Sequence, residues 1–99
     1  MNYWIHPEAE AELDEAALYL AEHVSRALAE ALLLEYERVV GLLVENQQRG
    51  PHSDFGLRMY HLDRFPYTVF YEEDAALGPQ IYAVAPQARD PGYWLSRRE

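Results

Sequence analysis

The texture of the chain changes at Gly50-Pro51, and that break constrains the fold more than any other feature. Before it, apolar residues recur every three or four positions; after it, they come in short runs rich in Val, Ile, Tyr and Phe. The first period belongs to helices with one buried stripe and the second to strands. Helices followed by a block of strands define an α+β architecture.

In the first half, Ala9, Leu13, Ala16, Ala17, Leu20 and Val24 predict an amphipathic helix over about 8–23. Glu8, Glu10, Glu12, Asp14 and Glu15 crowd its early turns, where the helix dipole favours anions. Ser25 is a suitable N-cap for a second helix, whose stripe is Leu28, Leu32, Tyr36, Val39, Val40 and Leu43 and which "NQQRGP" ends near Gly50. So tight a joint predicts an antiparallel hairpin. Ahead of it, "NYWIHP" reads as a short strand stopped by Pro7.

Beyond Pro51, "GLRMYHL" (56–62), "YTVFYEE" (67–73) and "QIYAVA" (80–85) read as three antiparallel strands in a meander. The expected fold is an N-terminal strand, a two-helix antiparallel hairpin and a three-stranded meander, as a single domain over 1–99. Tyr67, Val69 and Tyr71 fall on one face of the middle strand, Thr68 and Phe70 on the other. If the helices take one face, the other is left open to a partner, with an exposed apolar groove near Tyr67 to Tyr71.

Charge narrows the function. The 99 residues carry a net charge of -9, and all eight bases are arginine. Residues 1–48 hold ten acids and two arginines, whereas 49–99 hold seven acids and six arginines. A negative field slows the approach of phosphate backbones, so direct nucleic-acid binding is disfavoured. Absence of cysteine removes disulfides and thiolate metal sites. No basic-then-apolar leader and no long apolar run appear, so the expectation is a cytoplasmic protein without a membrane partner.

Residue by residue, most catalytic chemistries find no support. His6, His23, His52 and His61 are scattered without metal-ligand spacing, "GPHSDFG" lacks the lysine and context of a phosphate loop, and no serine sits in an elbow motif. No metal and no cofactor are expected. The Glu8–Glu15 cluster reads as a solvated helix face. The arginines are open to two readings: Arg58, Arg64 and Arg89 converge at one sheet end as an anion site, or Arg58 and Arg89 pair with internal acids such as Asp63 or Asp90 and organise the fold. "RDPGYW" (89–94) places a Pro-Gly turn before Tyr93 and Trp94, amphipathic anchors that dock on the domain's own body or on another molecule.

The element order, together with Leu57-Arg58, Phe65-Pro66-Tyr67, Tyr71, Ala83-Val84 and Arg89 to Trp94 with Arg97, is similar to the ParE/RelE superfamily of toxins from bacterial type II toxin-antitoxin modules, and more to its ParE branch. The resemblance covers nearly the whole chain. It implies a toxin that a cognate antitoxin neutralises and that binds a protein target such as DNA gyrase, with oligomers possible in the antitoxin complex. Arg89, Tyr93, Trp94 and Arg97 would then contact the target, and Tyr67, Val69 and Tyr71 the antitoxin. RelE-like members instead cleave messenger RNA on the ribosome, a metal-independent endoribonuclease chemistry for which Arg58, Arg89 and Tyr93 are the candidates here. An inactive interaction module of the same fold is a further alternative. The ParE branch often carries a histidine and a basic residue after its "AVA"; this chain has Pro86-Gln87-Ala88-Arg89.

Overall fold

A computed structural model describes residues 2–89 and 91–98. Strand β1 (Trp4–Ile5) leads into α1 (Pro7–His23) and α2 (Arg26–Glu45), followed by a 3-10 turn (Gln47–Arg49). Strands β2 (Arg58–His61), β3 (Tyr67–Glu72) and β4 (Gln80–Pro86) come next, and a C-terminal 3-10 helix spans Pro91–Arg98. The α+β order is the expected one, with a terminal helix added where the sequence suggested only a turn and anchors.

Local chemistry sets the helix ends. The Glu8 amide donates to His6 Nδ1 at 3.1 Å while Pro7 fills the first helical position, where no N–H is needed. The Leu28 amide donates to Ser25 Oγ at 3.1 Å, so Ser25 caps α2 as its position predicted. Asn46 ends α2 and its side chain starts the 3-10 turn by accepting from the Gln48 amide at 3.0 Å.

The sheet order is β1-β4-β3-β2, with β1 parallel to β4 and the other pairs antiparallel. Register on β4 is interrupted once: Tyr71 lies opposite Ile81, but Phe70 lies opposite Ala83. Tyr82 is therefore an extra residue, a β-bulge. Ile81 and Val84 face the helices while Ala83 and Ala85 face away.

The core is two clusters separated by the sheet. On the hairpin side, Ala9, Leu13, Leu32, Tyr36, Val39 and Leu43 pack on Val69, Tyr71, Ile81 and Val84. Gly50 approaches this side so closely that a Cβ there would lie 2.5 Å from the Met59 carbonyl oxygen. Its amide donates to the Tyr71 hydroxyl at 3.0 Å, and that hydroxyl donates to the Gln47 carbonyl at 2.7 Å, tying the exit of α2 to β3.

On the other face, Leu57, Phe70, Ala83 and Ala85 are covered by Trp94 from the C-terminal helix, which is fully buried. Its ring stacks 4.5 Å from Phe70 and meets Phe55 edge-on at 5.9 Å. This corrects the expectation of an open aromatic face and an exposed groove near Tyr67 to Tyr71: the chain's own tail occupies that face. The large apolar side chains that do reach solvent include Leu18, Tyr19, Val24 and Leu34, on the helices and the joint between them. Among the described residues, no helix is long and apolar enough to cross a membrane.

Candidate functional site

The C-terminal helix is held to α1 through one carboxylate. Glu12 lies one turn along from Ala9 and beside Leu13, at the flank of the buried stripe, and so reaches the β4 edge. Its Oε1 accepts from the Val84 amide at 3.1 Å and from Arg97 Nη1 at 2.8 Å, and its Oε2 accepts from the Tyr93 hydroxyl. Arg97 also donates to the Tyr82 carbonyl at 3.2 Å and pairs with Glu8 at 3.2 Å. The need for these contacts follows from β1, which pairs with β4 only at Gln80 and Ile81. Beyond Ile81 the edge of β4 has no neighbouring strand, and Glu12 and Arg97 satisfy its exposed backbone groups.

Tyr93 carries Arg89, whose guanidinium lies 3.7 Å from the ring centroid. Burial, and then the bond to Glu12, push the Tyr93 phenol well above its ordinary value. Its proton is committed to Glu12 at neutral pH. Arg97 also approaches the same ring, at 5.3 Å. Three of the residues proposed for target contact, Arg89, Tyr93 and Arg97, are thus neighbours. Trp94 is not part of their surface: it is buried beneath the tail and offers no side chain to a partner in this conformation.

Arg58 lies elsewhere. It pairs with Glu73 and donates to the carbonyls of Gly50 at 2.7 Å and Gln48 at 3.3 Å. Through the sheet register it stands level with Tyr71 and Ile81, whereas Arg89 follows Pro86, which stands level with Tyr67. Along β3, the four steps from Tyr71 to Tyr67 separate the two levels by roughly 13 Å. The convergence of Arg58, Arg64 and Arg89 at one sheet end is therefore corrected: Arg64, in the β2–β3 turn, and Arg89 share an end, and Arg58 occupies the opposite one. Of the two acids considered as arginine partners, Asp63 is taken by Arg38 at 3.0 Å, and Asp90 lies outside the described residues.

Two depressions flank Arg89. One, of about 340 Å³, runs between α1 and β4 and includes Glu12, Glu15, Ala16, Tyr19, Tyr67 and Arg89. The other, of about 150 Å³, has a floor of Phe70, Ala85 and Pro86 and a rim of His61, Gln87 and Arg89. Of the residues expected to meet an antitoxin, only Tyr67 reaches such a surface. Val69 and Tyr71 are sealed under the helices and have no exposed side chain to offer, which corrects that part of the expectation. No group of three metal-ligating side chains comes together among the described residues.

Glu12 is the residue that sequence reasoning missed, because it was counted with a solvated acidic face. The available signal was its phase: it sits against the apolar stripe, where a carboxylate is out of place unless something binds it.

The molecule is thus a small α+β domain whose aromatic tail is folded back on a sheet edge. Residues 3–91 match the family described as the ParE toxin of type II toxin-antitoxin systems, parDE, and the chain belongs to that family. Among solved structures, the chromosomal ParDE toxin-antitoxin system from P. aeruginosa is similar, with 22% identity, a TM-score of 0.73 and coverage of 87% of this chain and 95% of that one. At that identity the likeness speaks for the fold. No curated protein sequence matches significantly.

Proposed function

We propose that this chain is the toxin of a type II toxin-antitoxin module, acting in the cytoplasm by binding a protein target such as DNA gyrase and neutralised by a cognate antitoxin. Membership of the ParE toxin family supports the module. The observation that carries the choice of mechanism is the separation of Arg58 from Arg89. Cleaving a phosphodiester without a metal requires cations and a proton-transfer group around one phosphate. Here Arg58 is engaged at the opposite end of the sheet, Tyr93 keeps its proton and donates it in a hydrogen bond to Glu12, and lysine is absent. Binding to a protein surface has no such requirement. In this reading Arg89, with Tyr93 and Arg97 behind it, presents the target-facing surface, and the depression beside Tyr19 and Tyr67 takes part of the antitoxin.

The test is expression without antitoxin, following DNA supercoiling and the integrity of translated messenger RNA in parallel. The expected result is growth arrest with loss of supercoiling and intact messenger RNA, relieved by Arg89→Ala in a folded variant. Ribosomal cleavage of messenger RNA would replace this reading with the endoribonuclease one, and normal growth with both readouts unchanged would replace it with the inactive interaction module.

A further inference from the structure

We infer that the 150 Å³ recess at the β3–β4 end of the tail-covered face is a pocket for one glutamate side chain presented by a protein partner. The inference rests on the protein-target reading above and names the chemistry at its surface.

Size comes first. A volume of 150 Å³ is that of about five waters, well under the roughly 300–1,000 Å³ of pockets that enclose a cofactor or drug-sized ligand. It holds one medium side chain. The floor of Phe70, Ala85 and Pro86 is apolar and suits a short methylene stem, while the rim is formed by Arg89 and by Gln87, whose side-chain amide nitrogen lies 3.4 Å from the Tyr67 carbonyl. The rim is also fixed in place: His61 Nδ1 lies 2.6 Å from the buried Thr68 hydroxyl, and the backbone N–H of Gln87 donates to the Pro66 carbonyl at 2.9 Å.

Charge then selects the ligand. Among the described residues Arg89 pairs with no carboxylate; its guanidinium rests over the Tyr93 ring, and its N–H groups can fork a carboxylate. Among the described residues no acid lines the recess, whereas the larger depression on the other side of Arg89 contains Glu12 and Glu15, which repel an anion. A single carboxylate on a two-carbon stem satisfies cation, amide and apolar floor together. A nucleic-acid strand meets the same cation but must bring its polyanionic backbone against a protein of net charge -9.

Titration of the isotopically labelled full chain tests this directly. The probes are N-acetylglutamate N-methylamide, its glutamine counterpart and a short single-stranded RNA, each followed through the amide signals of Thr68, Ala85, Gln87 and Arg89. Saturable millimolar shifts are expected with the glutamate probe, with about tenfold weaker binding for glutamine, the loss of one charge-assisted contact. Arg89→Ala removes the shifts. Because Gln87 is exposed, Gln87→Glu keeps the fold and weakens glutamate binding at least about tenfold by placing a like charge on the rim. Equal response to glutamate and glutamine, indifference to Gln87→Glu, or shifts confined to other residues would overturn the assignment. Shifts from RNA alone would overturn it in favour of a phosphate site. The titration uses no target, antitoxin or growth assay, so its failure leaves the protein-target reading to stand or fall on its own experiment.

Discussion

On the hairpin side of the sheet, two helices of 17 and 20 residues cover β3 and β4 with a stripe of mostly aliphatic side chains. On the other side, an eight-residue 3-10 helix does the same work with one indole packed between Phe55 and Phe70. The first seal is distributed, and many residues share the burial. The second is concentrated in Trp94 and in the carboxylate that fastens its helix, Glu12. Distributed packing tolerates the loss of one member, whereas a single plug leaves its whole face to water when removed.

The largest expected effect therefore comes from Trp94→Ala, which should destabilise the fold by about 3–5 kcal/mol, the usual range for truncating a buried large aromatic. For a domain of this size that lowers the melting temperature by about 12 °C or more. Leu32→Ala, on the hairpin side, serves as the comparison and should leave the tail docked, with near-ultraviolet circular dichroism from Trp94 retained. A Trp94→Ala melting temperature within roughly 2 °C of the parent would show that the indole does not seal its face.

A smaller loss is expected from Glu12→Gln, about 2 kcal/mol, because Arg97 is only 9% exposed and would keep its charge with a weaker acceptor. Glu10→Gln, on the exposed side of α1, is the control and should be silent. Hydrogen exchange separates the outcomes: the Val84 amide should exchange faster in Glu12→Gln alone. Equal stability of the two variants would break the proposed division between a fastened tail and a self-sufficient hairpin.

Alkaline pH should give the smallest and most graded effect. Burial holds the phenols of Tyr36 and Tyr71 on the hairpin side, and of Tyr93 on the tail side, above their ordinary value of 10.0. The unfolded chain releases these protons near pH 10 while the folded chain retains them. Their contribution is complete below pH 10 and declines as pH rises above it. Melting temperature should fall with pH in that range, and the slope should shrink in a Tyr36→Phe, Tyr93→Phe double variant. An unchanged slope would mean that these phenols ionise as readily folded as unfolded.

The hairpin was legible because its information is periodic: Leu32, Tyr36, Val39 and Leu43 repeat at a spacing that only one secondary structure explains. The strands were legible for the same reason, and their boundaries shifted by only one or two residues. The tail was harder. Pro91-Gly92 announced a turn, and Tyr93 and Trp94 announced anchors, but no period tells which face of a sheet an indole will cover. The arginines were less legible still. Arg58 and Arg89 differ by 31 positions in sequence, and only strand register reveals that they occupy opposite ends. Glu12 was hidden by its company, since Glu10, Asp14 and Glu15 nearby are exposed helix-surface residues.

The bulge at Tyr82 makes residue count itself a carrier of structural information. Upstream of it, odd positions of β4 point to the hairpin; downstream, even positions do. Replacing Tyr82 changes a half-buried ring but preserves this arithmetic. Deleting the extra residue would restore plain alternation and leave Ala83 and Ala85 facing Trp94 and Val84 under the helices, so the faces of the residues that follow would be kept. At the bulge β4 can lose a residue without reversing its faces, and what it would give up is the local bend and the Tyr82 carbonyl that Arg97 grips.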